Sequence, residues 1–395
     1  MGALSQERAS DAARAPAIEV TRAEQRHLDS LAEFIRRVWD PAATFERVRR
    51  ARAEAAETNP VEPGRDIPTF LFLHEGRVVG HVSTIPVRVW QASGVRAVHW
   101  VKGLEVLPEY QNGPVGFLVL KHAVHELGPA LSLAVRPAAH RLLQAVGFRD
   151  LGAVPNFLLP LSPARMLERL DLAVLDLPRV PGALRATIRL AQRTGLAAVA
   201  GAAAGAATRL WAAVASGPSG GFQTDAPAGL DSDECDDLWR RVRGQIHAGV
   251  VRDGRYLRWR YGRGGADRYR FVTARDRGRL VGIGALREPR SVGDPRLHGI
   301  RVATLSDLLC PPDRPGIALT TLGAATTLAR SLDADALLCT ASHRSLRGPL
   351  RRRGFVRLPG NVHFLVREPG GDGEPPTTLA EWWITRGDSE ADEVF

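Results

Sequence analysis

Glu105 and His99 lie on one β-rich run, Val98 to Leu107, that ends at Pro108. A few residues on, Gln111-Asn112-Gly113-Pro114-Val115-Gly116 opens an apolar stretch over 115–127 with helical spacing. The first N–H groups of a helix have no partner within it and sit at the positive end of its dipole. A short, small-residue loop leading into a helix is therefore a ready site for a phosphate or pyrophosphate. Gly113 and Gly116 would let the backbone come close to such an anion. Pro114 removes one donor, a loss that the first turn of a helix tolerates. The Glu105 carboxylate, beside this loop, is a candidate general base. His99 and His81, each alternating with apolar neighbours, are candidates to line the same cleft. Lys102 adds a cation for phosphate or carboxylate.

Composition narrows the classes. The chain has 395 residues, 44% hydrophobic and 24% charged, close to the average globular protein and long enough for two or three domains. Disordered, collagen-like and coiled-coil proteins are excluded. Net charge is +10, and Lys102 and Lys121 are the only lysines among 53 basic residues. Arginine suits anionic ligands because its planar fork binds phosphate in two places at once. The segment Arg255-Tyr256-Leu257-Arg258-Trp259-Arg260-Tyr261 interleaves cations and rings. It reads as a packed amphipathic segment rather than a nucleic-acid surface. Cys235, Cys310 and Cys339 are odd in number and widely spaced, so neither a disulfide framework nor a metal site is expected, and a reducing cytoplasm is the expected home. The first 17 residues lack the apolar core of a signal peptide. The uncharged, Ala/Gly-rich stretch 194–208 falls short of the ~18 residues a spanning helix needs.

The elements that must position these residues occur twice. Residues 70–90 read as a hairpin around Glu75-Gly76, and Gly76-Arg77-Val78-Val79-Gly80 returns as Gly278-Arg279-Leu280-Val281-Gly282, 202 residues on. GFRDLGAVPNFLL from Gly147 returns as GFVRLPGNVHFLV from Gly354, 207 residues on. Between these anchors each half carries a strand, a Pro/Gly loop, an apolar helix and a second strand. A repeat with order and spacing both kept predicts two copies of one α/β unit. The expected boundaries are 17–160 and 222–368, with a helical, Ala-rich linker over 161–221 and a tail over 369–395.

On these residues the first half resembles the GNAT superfamily of acyl-CoA-dependent N-acyltransferases, and the chain as a whole resembles its tandem members. The family pattern is a strand ending before Pro, then (Arg/Gln)-x-x-Gly-x-(Gly/Ala) opening a helix, and later a Gly-Phe pair, here Gly147-Phe148. The resemblance implies a mixed α/β fold of two GNAT-like units. It also implies acetyl-CoA or another acyl-CoA as co-substrate and an amine acceptor: a small amine, an amino sugar or a protein amine. Pyrophosphate would lie against Gln111, Asn112, Gly113, Val115 and Gly116. The splayed strand Leu104–Leu107 would hold pantetheine through its backbone, at Val106 and Leu107 among others. Glu105 and His99 would serve the catalysis. Pro114 departs from the pattern at its middle Gly. The Tyr that many members place four residues before Gly-Phe is Leu143 in one copy and Leu350 in the other.

The second copy offers Pro311-Pro312-Asp313-Arg314-Pro315-Gly316-Ile317-Ala318, poor in N–H donors and one residue short of the family spacing. It is expected to act as a wall or acceptor-binding unit, leaving one acyl-CoA site per chain. Two other classes share these features: a non-catalytic acyl-CoA binder, and an aminoacyl transferase that uses charged tRNA. Release of free CoA with an amine acceptor separates the first reading from the second, and dependence on charged tRNA marks the third.

Overall fold

The computed structural model describes residues 18–134, 136–169, 196–216, 221–262, 268–291, 299–358, 362–368 and 378–392, with isolated positions between. The N-terminal stretch 1–17 and much of the expected linker lie outside the described residues.

The first sheet begins with β1 (Ile18–Arg22), β2 (Thr69–His74), β3 (Arg77–Gln91) and β4 (Gly94–Val106), each antiparallel to its neighbour. The helices α1 (Leu28–Val38) and α2 (Phe45–Glu57) fill the β1–β2 connection; the sequence reading missed α2. The β2–β3 turn places Glu75 and Gly76 at φ 52° and 76°, and both central residues in the left-handed region make it the turn that matches strand twist. The copy repeats it. β10 (Tyr269–Asp276) joins β11 (Arg279–Ser291) through Arg277 and Gly278 at φ 50° and 83°. The helices α3 (Val115–Leu127) and α9 (Pro315–Ser331) follow in their respective halves. A Cβ on Gly80 would lie 2.6 Å from a methyl of Val115, and one on Gly282 would lie 2.9 Å from Ile317. The repeated glycine thus lets a helix seat on the strand, which is why it recurs at the same offset.

The sheets do not coincide with the halves of the sequence. The first runs β1-β2-β3-β4-β5-β15-β6 and the second β14-β7-β13-β12-β11-β10-β8. Here β5 is Ala130–Ala134, β6 Arg149–Ala153, β7 Asn156–Pro160, β8 Gln223–Asp225, β12 Arg301–Leu309, β13 Ala336–Thr340, β14 Val356–Leu358 and β15 His363–Arg367. The halves exchange their last strands: β7 lies between β13 and β14, and β15 lies between β5 and β6. The two exchanged strands are the segments related by the 207-residue offset. A physical reason lies in Val154-Pro155. A residue before proline is driven to extended backbone, so the chain runs on instead of turning back beside β6. The two connections cross where the Val154 N–H donates to the Val362 carbonyl at 2.8 Å, and a side chain on Gly360 would collide with the Val154 carbonyl.

The middle contains α5 (Pro163–Arg169) and the Ala-rich α6 (Leu196–Ser216), which meet where Gly201 packs on the backbone of Ala164. No helix among the described residues is long and apolar enough to cross a membrane. Beyond α6, α7 (Ser232–Arg243) and α8 (Gly254–Tyr261) cover the second sheet, and β9 (Ala248–Val250) adds to the first beside β3. The basic-aromatic segment is α8, and its Tyr256, Leu257 and Tyr261 are buried, as the packing reading expects. The three thiols are free and buried, and burial pushes each up to about 12, so none is a nucleophile or half of a disulfide.

The expected tail is integral to the core. Trp382 and Trp383 form β16, parallel to β9, and both are fully buried. Two indole side chains bury more apolar area than any other pair, enough to order a terminal segment.

Candidate functional site

β4 and β5 are parallel neighbours, but they pair only at His99–Ala130 and Trp100–Leu131. Further on, Ser132 Oγ donates to the Val101 carbonyl at 3.2 Å, and then the strands part, β5 remaining bound along its other edge to β15. From Lys102 onward β4 pairs with no strand on that side among the described residues, so a gap opens between the carboxyl ends of two parallel strands. Such a gap is where open α/β sheets take ligands.

A bulge decides which side chains share a face. His81 lies opposite Glu105 and Ser83 opposite Lys102, so β4 carries one residue more than β3 in this interval. Gly103 absorbs it at φ 56°, and its carbonyl accepts from His81 Nδ1 at 2.9 Å. The bulge turns Glu105 onto the face of His81, Ser83 and Lys102. His99, paired with Pro86, stays on the opposite face, in a cavity of about 150 Å³ with Arg22, Glu62 and Arg65. The sequence grouped His99 with Glu105 because regular alternation over six residues keeps one face; the bulge separates them.

Because a carbonyl can only accept, His81 Nδ1 must carry a proton. The ring is 5% exposed and stacks with Phe34 and edge-on with Trp39, both contributed by α1 and the residue after it. His81, Ser83 and Lys102 line a cavity of about 660 Å³ between α1, α2 and β3. Its floor is apolar (Ile35, Val48, Ile67, Ile85), and Trp259 of α8 closes one side. Glu105, 17% exposed at its side chain, accepts from Arg136 Nη1. Arg136 precedes α4 (Pro137–Ala145) at the end of β5, so this ion pair bridges the mouth of the gap. The sequence reading missed Arg136. The signal was its place at the carboxyl end of a strand parallel to β4.

The loop after β4 keeps most of its donors. Leu107 spends both backbone groups on the fold: its N–H on Val79 and its carbonyl on Tyr110. The Gln111 side chain donates to the Val106 carbonyl at 3.1 Å, tying the loop to the strand. Asn112 and Gly113 are exposed, and no side chain caps α3. The N–H groups of Val115, Gly116 and Phe117 thus have no acceptor among the described residues, the condition for binding an anion. Gly116 also serves the packing. A Cβ there would lie 3.4 Å from Val106 and 3.5 Å from Leu142, so this glycine seats α3 against β4 and α4.

The second sheet parts at the same place and is filled. β12 and β13 pair from Val302–Ala336 to Leu305–Cys339 and then separate. β16 and the residues after it enter that space: Trp383 Nε1 donates to the Leu308 carbonyl at 3.0 Å, and Thr385 bridges to Ala341. The position of the His81–Glu105 pair is held by Ile283 opposite Leu309. At the start of α9 the Asp313 and Arg314 N–H groups are bonded to Gln245 and Pro311, and Phe222 lies 3.6 Å from where a Cβ on Gly316 would be. Leu143 and Leu350, where many family members have the Tyr, are both buried.

No protein-family model matches the chain, and no curated protein matches it in sequence. Solved structures do match it. N-myristoyltransferase of Saccharomyces cerevisiae with bound myristoyl-CoA superposes with a TM-score of 0.54 at 12% identity, over 93% of this chain and 85% of that one. A GCN5-related N-acetyltransferase from Anabaena variabilis ATCC 29413 gives 0.53 at 11%, over 89% and 72%. The fold is that of the GNAT acyltransferases. A probable N-acyltransferase from Enterococcus faecalis V583 agrees, at 0.52 and 10% identity over 89% and 72%.

His99 gives a test of the placement. Burial and then Arg22 push its imidazole down to about 4 from an ordinary 6.5. Below pH 6.5 the unfolded chain takes up a proton that the folded chain refuses until about pH 4, so stability falls across that window. The loss from this one group approaches about 3 kcal/mol at its lower end. Thermal melts of the wild type should drop more steeply from pH 6.5 to 4 than those of His99→Gln.

Proposed function

We propose that this chain is an acyl-CoA-dependent N-acyltransferase built as two GNAT-like units, with its single working site in the first. The observation that carries the reading is the open gap between β4 and β5, which ends at the uncapped start of α3. A pantetheine arm would lie in the gap along residues 102–106. Its diphosphate would meet the N–H groups at 112 and 115–117, which gives Asn112, Gly113, Val115 and Gly116 a binding role and Gln111 a supporting one. Bound there, acyl-CoA supplies an activated thioester. The acceptor amine would reach the same point from the 660 Å³ cavity, whose apolar floor suits a substrate with an apolar body and whose rim carries both Arg and Asp side chains.

In the proposed reaction the amine nitrogen attacks the thioester carbonyl, the C–N bond forms and the C–S bond breaks. The proton lost by nitrogen goes to Glu105, with His81 Nε2 on the facing strand as the second acceptor on that face. Arg136, at the mouth of the gap, offers positive charge to the departing thiolate and takes over part of the work of the missing Tyr. His99 has no part in this step, being on the far face.

Release of free CoA thiol from several acyl-CoA thioesters against a panel of amines tests the proposal. Amine-dependent release is expected, and Glu105→Gln should lower kcat by about 100-fold or more while acyl-CoA still binds. Binding of acyl-CoA with no release for any amine would leave a non-catalytic binder. Release only with charged tRNA would favour an aminoacyl transferase.

A further inference from the structure

His140 on α4, Asp150 on β6 and His363 on β15 meet at the strand exchange. His140 Nε2 and His363 Nδ1 each lie 2.8 Å from the same oxygen, Asp150 Oδ2. The two rings stand edge to face with centroids 4.8 Å apart, and the candidate ligand atoms all fall within 4.8 Å of one another. The other carboxylate oxygen is held by the Gly152 N–H at 2.7 Å, which fixes the orientation of Oδ2 between the rings. Gly152 sits at φ 108°, a backbone conformation that favours glycine, so the strand is bent to deliver that N–H.

Two imidazoles cannot both be satisfied by one oxygen unless each donates to it. Neutral rings could do so only by both choosing the tautomer that faces the carboxylate. Two nitrogen lone pairs and a carboxylate oxygen converging on one point is also the donor set of a divalent transition metal. Imidazole and a single carboxylate suit Zn²⁺ better than Mg²⁺ or Ca²⁺, which take oxygen ligands. The side chains are 22%, 19% and 39% exposed, so a cation can enter and a water can complete the coordination. We propose that His140, Asp150 and His363 form a Zn²⁺-class metal site, a clasp between the strand exchanged from the second half of the chain and the first sheet. The hydrogen-bonded pairs would open as the metal takes the lone pairs, with the imidazoles neutral and their protons on the outer nitrogens. The placement explains why three ligands from both halves of the sequence, separated by 10 and 213 positions, converge where the two copies are knitted together.

The test is titration of tag-free, chelator-treated full-length protein with Zn²⁺ by calorimetry and thermal melting, with Co²⁺ as a visible probe. Expected are one Zn²⁺ per chain, a raised Tm, and Co²⁺ absorption of tetrahedral intensity. Asp150→Asn and His363→Ala should each weaken Zn²⁺ by at least ~100-fold, more than the loss of a merely supporting residue. Asp150→Asn keeps the size of the side chain, so a variant that retains the wild-type apo fold by circular dichroism still reads out the site if His363→Ala does not fold. Absence of stoichiometric Zn²⁺ binding would overturn the proposal, as would binding unchanged in Asp150→Asn. So would a Tm that responds to pH across the imidazole range but not to metal, which would make the cluster a pair of charged hydrogen bonds.

Discussion

Arg252→Met is expected to destabilise the protein by about 3–5 kcal/mol, with a Tm drop of about 4–6 °C in a chain of 395 residues. Arg252 is fully buried, and its guanidinium holds two buried carboxylates: Nε donates to Asp307 at 2.9 and 3.0 Å, and Nη2 to Asp388 at 2.8 Å to each oxygen. The two carboxylates hold Arg252 firmly in its charged form despite full burial. Met fills a similar volume, so the cost comes from leaving two carboxylates without their cation rather than from a cavity. Asp307 lies on β12 and Asp388 on the carboxyl-terminal segment, so this one side chain pins the segment into the gap of the second sheet. Thermal or denaturant unfolding measures the effect. Adding Asp307→Asn and Asp388→Asn to Arg252→Met should recover part of the loss, because the desolvated charges are then gone. A loss below about 1 kcal/mol for Arg252→Met would mean that the carboxylates reach water and that the segment is not sealed in place.

Gly113→Asp is expected to weaken acyl-CoA binding by about 100-fold or more while leaving the fold intact. Gly113 is exposed, and a Cβ there meets only the Tyr110 carbonyl, at 3.4 Å. Its carboxylate would stand beside the uncapped N–H groups of α3, repel a diphosphate and compete for its donors. Loss of two charge-assisted contacts at ~1.5–3 kcal/mol each gives a weakening of that size. Gly116→Asp would be a poorer probe, since its side chain would press on Val106 and Leu142 and disturb packing as well. Equal Kd values for wild type and Gly113→Asp by calorimetry would remove the diphosphate from this loop.

Much of the fold was legible because local patterns agree with it. The repeated Gly-x-x-x-Gly hairpins mark a tight turn and a helix seat in both halves, and the apolar run at 115–127 is a helix with those bounds. What escaped the sequence is what arises between distant segments. The same 207-residue similarity that identified β7 and β15 as equivalents also allows them to trade places, and periodicity does not distinguish a strand paired within its own half from one paired across. The tail at 369–395 looked like an appendage because Trp383, Arg386 and Asp388 take partners far away in sequence, on β12, on β13 and at Arg252. At the candidate site, Glu105 and the loop from Gln111 to Gly116 stood out by type and spacing. His99 was grouped with them on the assumption of unbroken alternation, which one glycine at 103 undoes. Arg136 carried no local mark at all and gains its place only from the parallel pairing of β4 with β5.

The central claim is that the open gap is the acyl-CoA site and the filled one is not. Hydrogen exchange of the full-length protein with and without acyl-CoA, read by mass spectrometry, tests it most directly. Amides at 102–107 and 112–118 should slow on ligand addition, while those at 306–309 and 316–320 keep their rates. Protection at 306–309 and 316–320, with 102–107 and 112–118 unchanged, would contradict the claim.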